Sequence, residues 1–471
     1  MRRITIFIGA GVLLLLLLLL GGCTVGPNYT RPRANMPSDF RGADNTPVSS
    51  AEKESLGDEK WAAVFKEPEL QELIRTALEQ NYDIRIAAQR ILEQEAQVRI
   101  TRAQQFPTLS VGGTGAGAEL PASSLGSSIS SPLSFGSINL SAAWTPDFWG
   151  LYRRQTEAAR DQLLAQTWGQ RAVRMTLVQQ VVTTYLRLRA FDQQLALARH
   201  TVESRTQSAA LTRTLEASGS VPLSDLRQSE QLLYAATAEI PTLEQQIQQT
   251  ENEMQLLLGQ RPGTLTHTDP AALQPVPEDL PAGLPSALLE RRPDIRQAES
   301  QLMAANAQIG VARAQFFPQV SLSASAGLGG ETFGSLVDLG SRTIYGIGSL
   351  TQPIFAGGKL RGQYQLSERQ KEEMLLNYQK TIDTALHDVS NALIAVKKER
   401  EARMEQEHMV AAAQDSLRLA RLRYEGGAAS YLEVLTTDTN LFSAQLNLVA
   451  AQRDEALTLV QLYSSLGGGW N

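Results

Sequence analysis

The sequence is short of the residue types that build metal, redox and nucleic-acid sites. It holds one cysteine and four histidines in 471 residues, too few for a disulfide framework and a poor basis for a structural zinc site. Aromatic residues are 6% of the chain, which argues against a series of base-stacking platforms. No block of Lys and Arg occurs, and 49 acidic residues against 43 basic ones leave a net charge of -6, so no region reads as a polyanion binder. The glycine-containing stretch 327–334 has no lysine and reads as strand, not as a phosphate-cradling loop. His200, His387 and His408 fall in long helical patterns and His267 falls beside Asp269 in a proline-flanked loop. With Asp383 and Asp388 on a solvated helix, no catalytic constellation emerges, and neither an enzymatic role nor a cofactor is expected. Apolar runs of 18 residues are also missing beyond the N-terminus, which excludes a multi-span helical membrane domain. A membrane β-barrel stays open, because its strands alternate and give a weak hydropathy signal.

What is present begins with a processing signal. Arg2 and Arg3 precede the apolar run Ile4 to Leu20, and Gly21-Gly22 lead into Cys23. The arrangement is that of a bacterial lipobox, so cleavage before Cys23 and attachment of diacylglycerol to its thiol are expected. The covalent lipid is the only non-protein group anticipated. Thr24 stands where an Asp would signal retention in the inner membrane. An oxidising destination also accounts for the lack of further cysteines. Pro27, Pro32, Pro37 and Pro47 then sit among Asn, Ser, Asp and Gly, the composition of an extended tether.

The chain contains itself twice. Glu79-Gln80-Asn81-Tyr82-Asp83-Ile84-Arg85 matches Glu290-Arg291-Arg292-Pro293-Asp294-Ile295-Arg296, and Gln105-Phe106-Pro107 matches Phe316-Phe317-Pro318. Pro146-Asp147-Phe148-Trp149-Gly150 aligns with Pro353-Ile354-Phe355-Ala356-Gly357, Gly219 with Gly427, Asp225-Leu226 with Glu433-Val434, and Leu258-Gly259 with Leu466-Gly467. The expected divisions are a signal peptide 1–22, a tether 23–67, a first repeat 68–259, a linker 260–285 containing six prolines, a second repeat 286–467 and a tail 468–471.

Each repeat has the same plan. A helix is predicted over 69–105 and again over 292–316, ending at Phe-Pro. Period-two segments follow at 108–145 and 319–352. In them Ile138, Leu140, Ala142 and Trp144 alternate with Ser137, Asn139, Ser141 and Ala143, and Val320, Leu322, Ala324, Ala326 and Leu328 alternate with serine and glycine. Each segment accommodates two strands of a length suited to a tilted membrane strand. A long helix comes next. Residues 363–425 hold neither Gly nor Pro, roughly 95 Å of helix at 1.5 Å per residue. The matching stretch 151–218 contains only Gly169. Gly219, Gly426 and Gly427 are the expected helix-reversal tips, followed by return helices 223–258 and 430–466, the first expected to kink at Pro241. Leu177, Val181, Thr184, Tyr185, Leu188 and Phe191 form an apolar stripe, widened by Ala190, Ala196 and Ala198 to a face with neighbours on two sides.

Four membrane-type strands cannot close a barrel, because open edges in lipid leave backbone groups unpaired. Either the hairpins are soluble or several chains share one barrel. Here the sequence resembles the TolC-like outer-membrane efflux factors, in their NodT-type lipoprotein branch. The marks are Cys23-Thr24-Val25-Gly26-Pro27-Asn28-Tyr29, Leu288-Leu289-Glu290-Arg291-Arg292-Pro293-Asp294-Ile295, Tyr424-Glu425-Gly426-Gly427, Tyr431-Leu432-Glu433-Val434-Leu435 and Leu466-Gly467-Gly468-Gly469-Trp470. The resemblance covers the mature chain. It implies a mixed α/β membrane protein: a homotrimer with a 12-stranded β-barrel, four strands per chain, continuing into a 12-helix periplasmic α-barrel. It implies an exit duct in the outer membrane, docked to a periplasmic adaptor and an inner-membrane pump of the RND type or driven by ATP. A duct for type I protein secretion would look the same, and a coiled-coil scaffold lipoprotein is the further alternative. The resemblance also carries periplasmic gate positions onto Glu433, Thr436 and Tyr424. Ala429 stands where some relatives have a basic latch residue, so Asp225 and Asp438 join the gate candidates. Three copies of Glu433 around one axis are expected to repel unless packing, hydrogen bonds or a cation hold them.

Overall fold

The computed structural model describes residues 24–42, 55–118, 133–265, 276–277, 280–330 and 338–470. Cys23 and the signal segment lie outside them, as do His267 and Asp269. The labelled elements, in chain order, are α1 (Pro68–Gln80), α2 (Tyr82–Ala103), β1 (Thr108–Ala118), β2 (Leu133–Trp144), α3 (Leu151–Ala217), α4 (Leu223–Leu257), α5 (Pro293–Ala314), β3 (Gln319–Gly330), β4 (Arg342–Thr351), α6 (Lys359–Glu425) and α7 (Tyr431–Ser465). The chain divides into two compact units. One comprises 90–166, 297–378 and the described part of Met1–Arg33; the other comprises 34–89, 167–296 and the described part of 379–471.

The first unit holds the strands. They form one antiparallel sheet in the order β1-β2-β3-β4. Register puts Val111 opposite Leu140, Leu140 opposite Ala326, and Ala326 opposite Ile344. Directly opposed residues share a face, so Leu109, Val111, Ile138, Leu140, Leu322, Ile344 and Leu350 stand together on an apolar face, all of them exposed. The other face carries hydroxyls that bond in cross-strand pairs: Ser110–Ser141 at 2.7 Å, Thr114–Ser137 at 2.6 Å and Ser321–Ser349 at 2.7 Å. Phe135, Tyr345 and Ile347 share this second face, an exception to the expected alternation. The sole charged residue of the four described strands is Arg342, at the start of β4 and on the apolar side opposite Leu328. The expected strands are therefore present, each of 10 to 12 residues.

The second unit holds α1, α4 and α7 whole, with most of α3 and α6. The first predicted helix is two helices, α1 and α2, because Asn81 breaks it. Its backbone is extended, and its side-chain Oδ1 accepts from the N–H groups of Asp83 at 2.7 Å and Ile84 at 3.3 Å, an N-cap that restarts the helix. Helix α4 runs from Leu223 to Leu257 with Pro241 inside it, so the proline does not end the helix. The apolar stripe of α3 is buried at Leu177, Val181, Thr184, Tyr185 and Leu188, and Ala190 and Ala198 are fully buried. Ala196 is exposed, so the packed face is narrower there than the composition suggested. One core cluster joins Leu188, Leu195 and Ala198 of α3 to Leu243 and Ile247 of α4.

Four helices end alike. At Gly219, Gly259, Gly427 and Gly467 the backbone turns left-handed, with φ between +70° and +88°. At the first, Gly219 donates to the Glu216 carbonyl and Ser220 to that of Leu215. At the third, Gly427 donates to Tyr424 and Ala428 to Arg423. These paired bonds are a Schellman stop, which satisfies the last free carbonyls of α3 and α6. Gly426 does not take the left-handed conformation. Its N–H bonds the Leu422 carbonyl at 3.0 Å, so it belongs to the final helical turn and only Gly427 makes the reversal.

Candidate channel-forming site

Three surfaces carry the residues that the sequence singles out: the stretch after Cys23, the two-faced sheet and the helix-reversal tip. The stretch after Cys23 is a strap bonded onto the first unit. Thr24 lies against Gly150: a Cβ placed on that glycine would come within 2.9 Å of the Thr24 Cα. Val25 N–H donates to the Trp149 carbonyl at 3.1 Å. Arg154, 3% exposed, donates to the Val25 carbonyl at 3.3 Å and to Asn28 Oδ1 at 2.8 Å. Asn306 donates to the Pro27 carbonyl at 3.0 Å. Glu299 accepts from the Tyr29 hydroxyl at 3.3 Å and from Arg31 at 2.7 Å. Burial, reinforced by the neighbouring Glu299 carboxylate, pushes the Tyr29 phenol up, so it stays a neutral donor. Gly26, at φ +107°, passes so near Gly310 that a Cβ would stand 2.4 Å from the Gly310 Cα. The signature Thr24-Val25-Gly26-Pro27-Asn28-Tyr29 is therefore a docking sequence. It fixes the residue next to Cys23 at Gly150, between the end of β2 and the start of α3, where Trp149 also bonds the Pro318 carbonyl at 2.7 Å just before β3.

At the tip, Glu433 stands in the first turn of α7 and is not a bare carboxylate. Arg423 donates to it at 2.6 Å and to the Ala428 carbonyl at 3.4 Å. A cation on the last turn of α6 thus accompanies the carboxylate. Both side chains are more than a third exposed, so the pair contributes little to stability. Thr436 is exposed and donates back to the Leu432 carbonyl at 2.8 Å. Tyr424 packs on Tyr431, ring centroids 5.2 Å apart, within a cluster that includes Leu417, Ala420 and Val434. Burial, then the nearby Asp225 and Tyr431, raise the Tyr424 phenol above its ordinary value. Asp225 itself lies in the first turn of α4, where a carboxylate suits the helix dipole.

Asp438 is placed differently from the other four candidates. It accepts from Arg205 of α3 at 2.9 Å and lies 3.8 Å from Arg421 of α6. Arg205 is 5% exposed, also donates to the Leu232 carbonyl of α4 at 2.9 Å, and lies 5.1 Å from the Phe442 ring. This one guanidinium thus ties α3, α4 and α7, and Asp438 serves as its counter-charge. Sequence reading missed Arg205, Arg421 and Arg423. Arg423 had a local signal, a cation in a helix's last turn before glycine. Arg205 had none, because its partners lie on other helices.

The family model of outer membrane efflux proteins matches residues 73–260 and 284–468. The solvent efflux pump outer membrane protein SrpC of Pseudomonas putida is 36% identical over 97% of either chain. The cation efflux system protein CusC of Escherichia coli is 33% identical, covering 96% of this chain and 97% of its own. Among solved structures, CusC superposes with a TM-score of 0.84 at 31% identity, covering 95% of this chain and 100% of its own. The open state of the Neisseria gonorrhoeae MtrE outer membrane channel gives 0.84 at 30%, covering 95% and 99%.

Proposed function

Because the chain belongs to the outer membrane efflux protein family and is an outer-membrane component of an efflux system, we propose that it is one third of a trimeric exit duct. Three sheets of four strands close a 12-stranded barrel, and the helices below them form a 12-helix periplasmic tunnel. The observation that carries this reading is the sheet. It has one apolar exposed face, one hydroxyl face, and, among the described residues, unpaired outer edges on β1 and β4. An open edge in hydrocarbon strands several N–H and C=O groups without partners, each at a cost of several kcal/mol. Pairing β1 of one copy with β4 of the next removes both edges at once, a head-to-tail contact that closes by rotation.

The apolar face then meets lipid and the hydroxyl face lines the bore. Diacylglycerol on Cys23 is held at the level where strands give way to helices, because Thr24 is docked at Gly150. A single lipid attachment adds to the hold of the barrel. The tip residues Glu433, Thr436, Tyr424 and Asp225 surround the reversals at Gly219 and Gly427 and form the periplasmic gate. This end meets an adaptor, which links the duct to an inner-membrane pump. Relatives named for solvents and cations favour small-molecule cargo over secreted protein.

Replacing Leu140 by Arg puts a charge on the lipid face and costs about 2 to 4 kcal/mol if the site is deep in the bilayer. Asn139→Arg, one residue along on the hydroxyl face, avoids that cost. The fraction of heat-modifiable, membrane-inserted protein on gels reads the difference. Equal loss in both variants would overturn the assignment of faces. Mass spectrometry of the mature N-terminal peptide tests the anchor, and an unmodified Cys23 would remove it.

A further inference from the structure

In the first unit, four helices face one cleft of about 820 Å³. Its wall is built from amides. Gln94 and Gln97 come from α2, Gln155 and Gln162 from α3, Gln301 and Gln308 from α5, and α6 adds Gln370. On α3 and α5 the spacing repeats: two glutamines seven residues apart bracket the pairs Ala158-Ala159 and Ala304-Ala305. That places Gln, Ala, Ala and Gln on one helical face, with small residues between the amides. Glu373 is the single charged residue on the wall. Gln155 Oε1 is buried and takes no hydrogen bond from the described residues.

The cleft faces away from the strap. On α5 the strap is held by Glu299, Asn306 and Gly310. Each of these is two residues from a cleft residue, Gln301, Ala304 or Gln308, which is about 200° around the helix at 3.6 residues per turn. Helices α2, α3, α5 and α6 join strands β1 to β4 in order. One cleft reached from four helices puts their glutamines on a common side of the layer, opposite the face of α5 that holds the strap.

We propose that this amide wall lines the bore of the duct and makes it indifferent to the sign of a solute's charge, with Glu373 setting what cation preference it retains. The proposal rests on the exit-duct reading above. An amide offers both donors and acceptors, so it solvates cations, anions and neutral molecules alike. Exchange of water for amide hydrogen bonds is nearly balanced, so a solute is wetted without being trapped. The hydroxyl face of the sheet adds no fixed charge either, since none of its described residues is charged. A wall of fixed charges would instead raise the local concentration of one sign by tenfold or more.

The test uses the full-length protein in planar bilayers, with cysteine introduced at Gln162 or at Gln308. Two methanethiosulfonates of similar size are applied, one cationic and one anionic, and untreated and treated parent protein give the background. Both reagents should lower conductance in both variants, at rates within about threefold of each other, well below the tenfold or greater bias of a charged wall. Glu373→Gln should lower the cation-to-anion permeability ratio, and Gln162→Glu should raise it. Conducting channels that no reagent alters at either cysteine would overturn the placement of the cleft in the bore. A preference for one reagent of about tenfold or more would overturn its indifference to charge. A parent protein that reconstitutes in the bilayer yet forms no channel would instead sink the duct reading on which both depend.

Discussion

Asn81 and Arg292 occupy matching places in the two repeats and do the same work with different chemistry. Each sits at an elbow before a helix, and each reaches the end of the return helix of its own repeat. Asn81 donates to the Leu257 carbonyl at 2.9 Å, and Arg292 to the Ser465 carbonyl at 3.1 Å. The amide is self-sufficient: its oxygen caps α2 while its nitrogen holds α4. The guanidinium is 6% exposed and needs counter-charges. Asp294 supplies one at 2.7 Å and Asp388 another at 3.3 Å. Burial works against its charge, and the two carboxylates outweigh burial, so its pKa is raised. The first repeat thus closes its elbow with neutral hydrogen bonds, whereas the second recruits α6 through Asp388. A neutral tie can be lost alone, but a charged one leaves its partners stranded.

The largest difference between the elbows should appear on truncation. Arg292→Ala removes the counter-ion of two carboxylates and should cost about 2 to 4 kcal/mol, below the range for a fully buried pair because both carboxylates are partly exposed. Asn81→Ala loses a cap and one further bond, about 1 to 2 kcal/mol. Thermal unfolding of detergent-extracted protein at pH 7 would rank them, and equal losses would erase the distinction. Pairing Arg292→Asn with Asp388→Asn should recover part of the loss, because the stranded charge on α6 goes with the guanidinium.

Glycines beside the elbows sharpen the same contrast. A Cβ on Gly259 would sit 2.5 Å from the Gln80 carbonyl oxygen, whereas one on Gly467 would press on the Arg291 backbone at 3.1 Å, a milder contact. Both positions have positive φ, worth roughly 1 to 2 kcal/mol against alanine. Gly259→Ala carries a backbone clash in addition and should destabilise more than Gly467→Ala, again by thermal midpoint. The reverse order would mean that the charged elbow is the tighter one.

Asp161 is the opposite case: among the described residues, no cation offsets its burial. Burial, and after it Glu157, push its carboxyl up to about 6. The folded chain therefore holds a proton that the unfolded chain releases near pH 4. Stability from this group is fully present below that pH and is lost as pH rises through about 6. Asp161→Asn should raise the thermal midpoint at pH 7.5 and leave it nearly unchanged at pH 4. A variant less stable than the parent at pH 7.5 would show that the carboxylate is satisfied.

Much of this organisation was legible because it is periodic or punctuated. Two-residue alternation marked β2 and β3, and the glycine- and proline-free stretch marked α6 to within a turn at its start. The stops at Gly219 and Gly427 carried their own signal in glycine. What stayed hidden depended on distant partners. The break at Asn81 needs the cap geometry of Asp83 and Ile84, in a stretch whose apolar spacing continues helically across it. Arg205 and Asp438 are far apart in sequence and meet only when α3 and α7 pack. Glu433 was visible, but its pairing with Arg423 depends on how the reversal between them folds. The amide wall stayed hidden as well, since its glutamines come from four helices that are far apart in sequence.

Native mass spectrometry of the protein extracted from the outer membrane tests the central claim most directly, that one chain supplies an open sheet which only association closes. Three copies of the mature chain are expected, each bearing lipid at Cys23, with no compact monomer at any detergent concentration that preserves the fold. A folded, lipid-bearing monomer with its strands and helices intact would contradict it.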